Sequence, residues 1–365
     1  MSLLHQIALS CITGVGSILA RNLISYCGSP EEIFNAKKKH LSKVPGIGPK
    51  TLELIRNHTA FERAEKELVF IEKYKIQPLF LTDTEYPKRL KNCPDAPVML
   101  YFKGNTDLNS GKIISIVGTR NSTEYGKDLC RTLLSGLQIH NPLIVSGLAY
   151  GIDFLAHKEA LKNSMSTVGI MAHGLDRIYP SQHRSLAEKM VDNGGLLTEF
   201  LSGTVPDREN FPKRNRIIAG LADVTIVVEA NIKGGALITA QLANTYNRDV
   251  FAYPGRVTDE YSSGCNHLIK TNRANLITKV ADLEYIMGWT DSSQVPRASP
   301  QLSLAIDLSD DEKIITSILS AHGNVIVDDL AILTGFPQSK LAVNILAMEM
   351  KGILVGLPGK VYKLA

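Results

Sequence analysis

The residues with the clearest chemistry are three cations in the stretch ENFPKRNRIIAG. Lys213, Arg214 and Arg216 fill three of four consecutive positions, directly before an apolar run that leads into the segment DVTIVVEA. Guanidinium and ammonium groups bind phosphate and carboxylate oxygens, and arginine can do so through two parallel hydrogen bonds. Phe211 precedes the cluster and offers an aromatic ring on which a nucleic-acid base could stack. The stretch therefore predicts an anion site, provided that other elements bring further binding groups beside it.

Glycine-rich turns follow five of the apolar segments in the middle of the chain. Glycine lets backbone N–H groups approach an anion closely, and a helix that starts after the turn adds a favourable dipole. In any single turn the glycine can equally serve the turn geometry alone, so the prediction of a phosphate cradle depends on the whole set. The candidate residues in these turns are Gly118, Arg120, Ser146, Gly147, Lys233, Gly234 and Gly235.

The elements that must position these residues form an α/β pattern. From Ile113 onward, short apolar segments alternate with amphipathic helical stretches. This alternation predicts a mostly parallel sheet with helices on both faces, whose ligands bind beyond the carboxyl ends of the strands. Residues 77–112 contain several prolines, and we expect them to be an irregular lead-in. The predicted strands lie in IISIVG, PLIVSG, STVGIMAHG, GLLTEF, DVTIVVEA and VFAYPG.

Composition narrows the class of protein only moderately. The 365 residues are 44% hydrophobic and 21% charged, which allows two or three globular domains, and a net charge of +4 is too small to indicate a nucleic-acid partner by itself. The five cysteines form no C-x-x-C pair, which favours reduced thiols and a cytoplasmic location. The chain shows no secretory leader and no apolar stretch of about 18 residues, so no membrane association is expected.

Signatures of catalysis and of cofactors are weak. The turn GTRNSTEYG does not match G-x-G-x-x-G, no phosphate-binding G-x-x-x-x-G-K-[ST] occurs, and the histidines lack metal-ligand spacing. We therefore expect no cofactor, no metal and no catalytic residue. Glu199 and Glu229, which end two predicted strands, are the acid or base candidates. Their expected role is structural, either accepting hydrogen bonds from turn amides or pairing with arginines.

Several long motifs resemble the DNA-processing protein A family, also called Smf, over about residues 78–288. They are SGLAYGIDFLAHKEAL, HGLDRIYP, FPKRNRIIAGLADVTIVVEA and KGGALITAQLAN, in the family's order. The resemblance implies a Rossmann-like domain that binds and protects single-stranded DNA and helps to load the recombinase RecA during natural transformation. It also implies a homodimer without catalytic activity.

The same motifs imply a DNA-contacting pocket in this chain. Two departures from the family pattern affect it: Tyr150 stands where a basic residue is usual, and Gly234-Gly235-Ala236 replaces a segment that usually carries hydroxyl groups. Tyr150 could stack on a base instead of contacting a phosphate. The residues that the resemblance implies are Arg120, Ser146, Gly147, Phe211, Lys213, Arg214 and Arg216. The predicted site is completed by Gly118, Tyr150, Gly151, Asn215, Lys233, Gly234 and Gly235.

Residues 1–76 are predicted to form a small helical domain. CITGVGSILARNLI and KVPGIGPKTLELI repeat the same step 32 residues apart, between Gly14 and Gly46, and resemble tandem helix-hairpin-helix motifs. Such hairpins present backbone N–H groups to a phosphate, here with Arg21 and Lys50 nearby. The alternative is that the repeat serves packing only.

The predicted sheet domain spans residues 77–289 and a Ser- and Pro-rich linker spans 290–308. Residues 309–365 resemble a winged helix-turn-helix that begins with a capping box of Ser309 and Glu312. Its second helix carries only Lys340 and Lys351 as cations, which favours a partner-binding module over a reader of DNA sequence.

Two other functions remain open at the level of sequence. One is an enzyme similar to the nucleoside-monophosphate phosphoribohydrolases, although their P-G-G-x-G-T-x-x-E motif is replaced here by KGGALITAQ, which has no following glutamate. The other is a transcription regulator that acts through the C-terminal module and prefers duplex DNA.

Overall fold

The computed structural model describes residues 2–56, 58–289, 308–357 and 360–364. The chain divides into two compact units, residues 1–290 and 291–365. The boundary predicted at residue 76 lies inside the first unit. The linker predicted for residues 290–308 lies outside the described residues except for Leu308.

The first unit begins with six helices that contain the two predicted hairpins. The hairpins pack on each other: a Cβ added to Gly14 would lie 3.0 Å from the side chain of Leu54, and one added to Gly46 would lie 3.6 Å from Leu19. The repeat thus builds one small helical layer. The helices are α1 (Leu3–Cys11), α2 (Ser17–Cys27), α3 (Pro30–Asn35), α4 (Lys38–Leu41), α5 (Pro49–Arg56) and α6 (Ala60–Tyr74).

A nine-stranded Rossmann-like sheet follows. Its strands are β1 (Gln77–Phe80), β2 (Met99–Gly104), β3 (Ile113–Val117), β4 (Leu143–Ser146), β5 (Thr167–Ile170), β6 (Gly194–Thr198), β7 (Val224–Val227), β8 (Asp249–Ala252) and β9 (Asn275–Leu276). Its helices are α7 (Lys88–Lys91), α8 (Glu124–Leu137), α9 (Ile152–Lys162), α10 (Arg184–Asp192), α11 (Asn210–Leu221), α12 (Gly235–Thr245), α13 (Ser263–Lys270) and α14 (Val280–Met287).

The strand order is β1-β2-β6-β5-β4-β3-β7-β8-β9. The seven strands from β6 to β9 in this order are parallel, which confirms the predicted α/β alternation. The chain runs outward from β3 to β6, then returns to β7 beside β3 and runs the other way. The switch point of the sheet therefore lies between the carboxyl ends of β3 and β7, where open α/β sheets bind ligands.

The expectation that residues 77–112 are irregular is wrong, because they contain β1 and β2. These two strands pair antiparallel and extend the sheet beyond β6. Pro78 is tolerated because β1 is an edge strand, where a missing N–H costs no ladder bond on the outer side. Met99 to Phe102 are all buried, so β2 contributes to the core despite the prolines before it.

The helical layer and the sheet share one hydrophobic core. Apolar side chains of α1, α2, α5 and α6 belong to the same buried cluster as those of β1, β2, α11 and α12. A second cluster covers the other face of the sheet beneath α8, α9 and α14. Glu67 of α6 strengthens the junction, since its buried carboxylate pairs with Arg63 at 2.8 Å and accepts hydrogen bonds from the amide and hydroxyl of Ser202.

The second unit has the order of a winged helix. It comprises α15 (Asp310–His322), β10 (Val325–Ile326), α16 (Val327–Thr334), α17 (Gln338–Met350), β11 (Leu354–Leu357) and β12 (Val361–Leu364). Its sheet order is β10-β12-β11, and α16 and α17 meet at 110°. The predicted capping box of Ser309 and Glu312 is present. No single helix in the described parts of the chain has the length and apolar composition to cross a bilayer, and α16 and α17 meet these criteria only when counted together.

The shared core yields a prediction for Glu67. Replacing Glu67 by alanine should lower the free energy of unfolding by about 1–3 kcal/mol, because the amide of Ser202 loses its acceptor in a part-buried position. Glu65→Ala, an exposed position on the same helix, is the matched control. Urea unfolding measures both variants, and equal stabilities would contradict the proposed role of this junction.

Candidate nucleic-acid interface

A cleft of about 750 Å³ opens at the switch point of the sheet. The loop after β3 forms its floor, the first turn of α11 forms one wall, and the start of α12 forms the other. Gly234 precedes α12 without a side-chain cap, so the first amides of this helix have no side-chain acceptor. The residues around the cleft include Gly118, Thr119, Arg120, Asp153, Tyr179, Arg208, Phe211, Arg214, Asn215, Asn231, Gly234 and Gly235.

Gly151 allows the floor of the cleft to form. Its φ of +75° is unfavourable for residues with a side chain, and an added Cβ would lie 2.2 Å from the carbonyl oxygen of Thr119. The next amide, that of Ile152, donates to the same carbonyl at 3.1 Å. The start of α9 is therefore held directly against the loop that carries Arg120. Gly151 therefore shapes the cleft indirectly. It allows α9 to approach the loop after β3, and that loop lines the cleft.

The ring of Phe211 lies near two guanidinium groups. Arg120 is 5.4 Å and Arg214 is 6.0 Å from the ring centroid, distances at which a cation is attracted to the face of an aromatic ring. The ring of Tyr179, which also lines the cleft, lies 6.4 Å from the ring of Phe211. The structure thus brings Arg120, Phe211 and Arg214 together, as the sequence predicted, and places an aromatic surface among positive charges.

Arg214 is the buried member of this group of residues. Only 4% of the residue is exposed, and its guanidinium donates to the carbonyls of Gly147 and Ile170. Gly147 must lack a side chain, because an added Cβ would lie 2.3 Å from that guanidinium. Asp153 faces it from α9, and burial raises the pKa of this carboxyl while the positive charge of Arg214 opposes the rise. Burial lowers the pKa of Arg214 to about 10, so the group remains charged at neutral pH.

The other two cations of the cluster do not line the cleft. Arg216 pairs with Glu199 and donates to the carbonyl of Asp95. Lys213 is exposed. Burial raises the pKa of the Glu199 carboxyl, and the nearby charge of Lys213 opposes this rise. Positions three apart share a face of a helix, so Lys213 and Arg216 lie on the side of α11 away from Phe211. The prediction that one cluster surrounds one site is corrected: α11 divides it between two surfaces.

Five further predicted residues lie outside the lining of the cleft: Gly147 and Gly151, described above, and Ser146, Tyr150 and Lys233. Ser146 is fully buried, and its hydroxyl donates to the carbonyl of Ile116 at 2.6 Å, so its side chain is engaged inside the sheet. Tyr150 is 43% exposed and donates to Gln182 at 2.9 Å. Lys233 is exposed in the turn just before α12.

The two strand-end glutamates have the structural roles expected of them. Glu229 is 2% exposed and accepts hydrogen bonds from the amide and the hydroxyl of Thr123, the residue that caps α8. Glu199 pairs with Arg216. Arg21 of the first hairpin donates from its guanidinium to the backbone carbonyls of Lys91 and Cys93, a contact that fits the packing alternative for the repeat.

Sequence reasoning missed Tyr179, Arg208 and Asn231 as lining residues. Tyr179 belongs to the motif HGLDRIYP, and Arg208 stands one residue before the stretch that contains the cationic cluster, so both were within reach of a wider motif. Asn231 follows β7 at the switch point, a position that only the strand order reveals. The described residues contain no group of three or more His, Cys, Asp or Glu side chains placed to hold a metal ion.

The different environments of neighbouring cations can be tested by stability. Arg214→Ala should lower the free energy of unfolding by about 3–5 kcal/mol, because it leaves Asp153 buried without its counter-charge. Lys213→Ala, one position away and exposed, should change it by less than about 0.5 kcal/mol. Thermal and urea unfolding report both values. Equal effects of the two substitutions on the free energy of unfolding would mean that the buried contacts of Arg214 do not stabilise the cleft.

Two family models match the chain. A model described as DNA recombination-mediator protein A matches residues 77–287, and one described as a SAM-like helix-hairpin-helix tandem matches residues 7–58. The chain is 33% identical to Protein Smf from Synechocystis sp. over 396 residues, covering 98% of each chain. It is 31% identical to Protein Smf from Escherichia coli, with 90% of this chain and 89% of the relative covered.

Two solved structures are similar to this one. The X-ray structure of DNA processing protein A from Streptococcus pneumoniae has a TM-score of 0.69 and 32% identity, and the match covers 77% of this chain and 97% of that chain. A structure that concerns the single-stranded DNA binding mode of DNA processing protein A from Helicobacter pylori has a TM-score of 0.53 and 29% identity, with 59% and 96% covered. The chain belongs to the DNA recombination-mediator protein A family.

Proposed function

We propose that this protein binds single-stranded DNA in the cleft at the sheet switch point and hands the strand to a RecA-type recombinase during natural transformation. The observation that carries the proposal is the contact of the Phe211 ring with the guanidinium groups of Arg120 and Arg214. Aromatic rings and arginines together form the stacking and charge pattern of single-strand sites. The similar protein from Helicobacter pylori is described as binding single-stranded DNA, which supports the same ligand here.

In this proposal the sugar–phosphate backbone supplies most of the affinity. Arg120 and Arg208 are exposed cations at the cleft, and the amides at the start of α12 add a positive helix end. Contacts of this kind carry no sequence information, so binding should be nearly independent of sequence and should weaken as salt rises. Arg214 contributes through its fixed position: two backbone carbonyls hold its guanidinium, which lies against the ring of Phe211.

The cleft favours a single strand over a duplex. An aromatic platform such as Phe211 needs the face of an unpaired base, and in a duplex both faces of each base are covered by the neighbouring base pairs. A single strand exposes its bases and bends into a concave site, whereas a duplex presents a stiff outer surface of phosphates. The ring of Phe211 is part-buried within the cleft, which suits a strand that enters the cleft.

The arrangement suits binding more than turnover. Asp153 is the carboxylate among the described lining residues, and it faces Arg214. Glu229 is engaged in capping α8, which argues against the phosphoribohydrolase alternative, because that chemistry needs a carboxylate free to act on the ribose. We therefore propose a binding protein rather than an enzyme.

Two partners belong to the same proposal. A homodimer is supported by the apolar surface beside β9, where Leu276 is 47% and Tyr285 is 82% exposed, since exposed apolar patches mark interaction surfaces. The proposed recombinase partner is supported by membership of a family described as recombination mediators. The winged helix is the less suitable DNA contact, since Lys340 and Lys351 pair with Asp311 and Glu312 of its own α15.

Charge and stacking in the cleft can be separated by two substitutions. Arg120→Ala should weaken binding to all single-stranded sequences alike and reduce the log–log salt slope by about 0.7, the value for one phosphate contact. Phe211→Ala should cost about 1–3 kcal/mol of binding free energy and leave that slope unchanged, because a stacked ring releases no counterions. Fluorescence anisotropy with a thymidine oligonucleotide at several salt concentrations measures both.

The matched control is Lys158→Ala, an exposed cation on α9 that does not line the cleft. It should bind as the unmodified protein does. The proposal fails if duplex DNA binds more tightly than single strands, or if Arg120→Ala and Phe211→Ala both bind with unchanged affinity while folded.

A further inference from the structure

The cleft does not explain the role of Lys213, one of the three cations of the cluster. It is exposed, and it shares the outer side of α11 with Arg216. Arg216 in turn reaches the helical layer, where its guanidinium lies 3.5 Å from the hydroxyl of Ser17 at the start of α2. The outer side of α11 therefore leads from the neighbourhood of the cleft to the two hairpins.

A groove of about 380 Å³ lies where these elements meet. Both hairpins and the sheet layer contribute to it. Ile18 is 59% exposed, so the groove carries an apolar surface as well as polar groups. The residues that matter for its chemistry are Ser17, Ile18, Asn22, Pro45 and Gly46, together with Arg216 and Asp95, whose charged groups have partners within the protein.

A strongly basic surface adjoins the groove. Residues 33–52 contain five lysines and a histidine but no aspartate or glutamate, and all six of these side chains are exposed. None of the five lysines forms an ion pair within the described residues. This basic segment carries Pro45 and Gly46 of the groove at its centre. Its members are Lys37, Lys38, Lys39, His40, Lys43 and Lys50.

We propose that a single strand held in the cleft continues across the outer side of α11, past Lys213, into the groove and onto the basic segment. The inference rests on the proposed function of the cleft. Lys213 and the lysines of the basic segment would contact phosphates, and the exposed side chain of Ile18 would pack against a base or sugar. We assign the same DNA strand to both sites because α11 borders both the cleft and the groove, so a strand that leaves one can enter the other.

The path predicts that oligonucleotide length decides which residues matter. The test variant is Lys43→Glu with Lys50→Glu, two exposed positions that flank Pro45 and Gly46. An oligothymidine of about six nucleotides, short enough to fill the cleft alone, should bind as it does to the unmodified protein. For one of about 30 nucleotides, affinity should fall at least about tenfold and the salt slope should shrink by at least about 1.4, two phosphate contacts.

Two further variants sharpen the experiment. Lys158→Glu with Lys189→Glu makes the same charge change at exposed positions of α9 and α10 and should leave both lengths unaffected beyond about twofold. Ile18→Ser should weaken binding of the long oligonucleotide alone, without changing its salt slope.

Anisotropy titrations separate the possible results. The path is wrong if the long oligonucleotide binds Lys43→Glu/Lys50→Glu with unchanged affinity, or if the control charge reversal weakens it equally. If the unmodified protein binds neither length, the proposed function of the cleft fails together with the path. Loss restricted to the long oligonucleotide supports the path.

Discussion

The site depends on the buried guanidinium of Arg214. Its hydrogen bonds to the carbonyls of Gly147 and Ile170 tie α11 to the carboxyl ends of β4 and β5, and Asp153 supplies the opposing charge from α9. A buried charge is tolerated only when such partners replace its water. Four separate elements are thereby fixed around one group, and the ring of Phe211 takes its position from the same helix.

Helix α11 separates two surfaces with different chemistry. Its inner side presents Phe211 and Arg214 to the cleft, while its outer side presents Lys213 and Arg216 toward the hairpins. Arg216 also ties the two layers together through Glu199 and the carbonyl of Asp95. The compact first unit makes this arrangement possible, because the hairpin helices share one hydrophobic core with the sheet and with α11.

The buried parallel strands could be predicted from sequence because each is a short apolar run between polar turns, and the spacing of Gly14 and Gly46 revealed the hairpins. Strand β1 was hidden by Pro78, which an edge position tolerates, and β2 was hidden by the prolines in the segment before it. The roles of the cations could not be read locally, since Arg214 meets its carbonyl partners 44 and 67 residues away and Arg216 meets Asp95 at a separation of 121. Neighbouring residues of one motif therefore lie in different environments, which only the strand order determines.

The most direct test of the account is hydrogen–deuterium exchange of the full chain with and without a single-stranded oligonucleotide. A strand seated at the switch point should slow amide exchange in residues 118–123, 206–211 and 231–236, which surround the cleft. Backbone amides that donate to a ligand or lose contact with solvent exchange more slowly. Slower exchange confined to the winged helix, residues 308–357, with those three segments unchanged, would contradict the central claim.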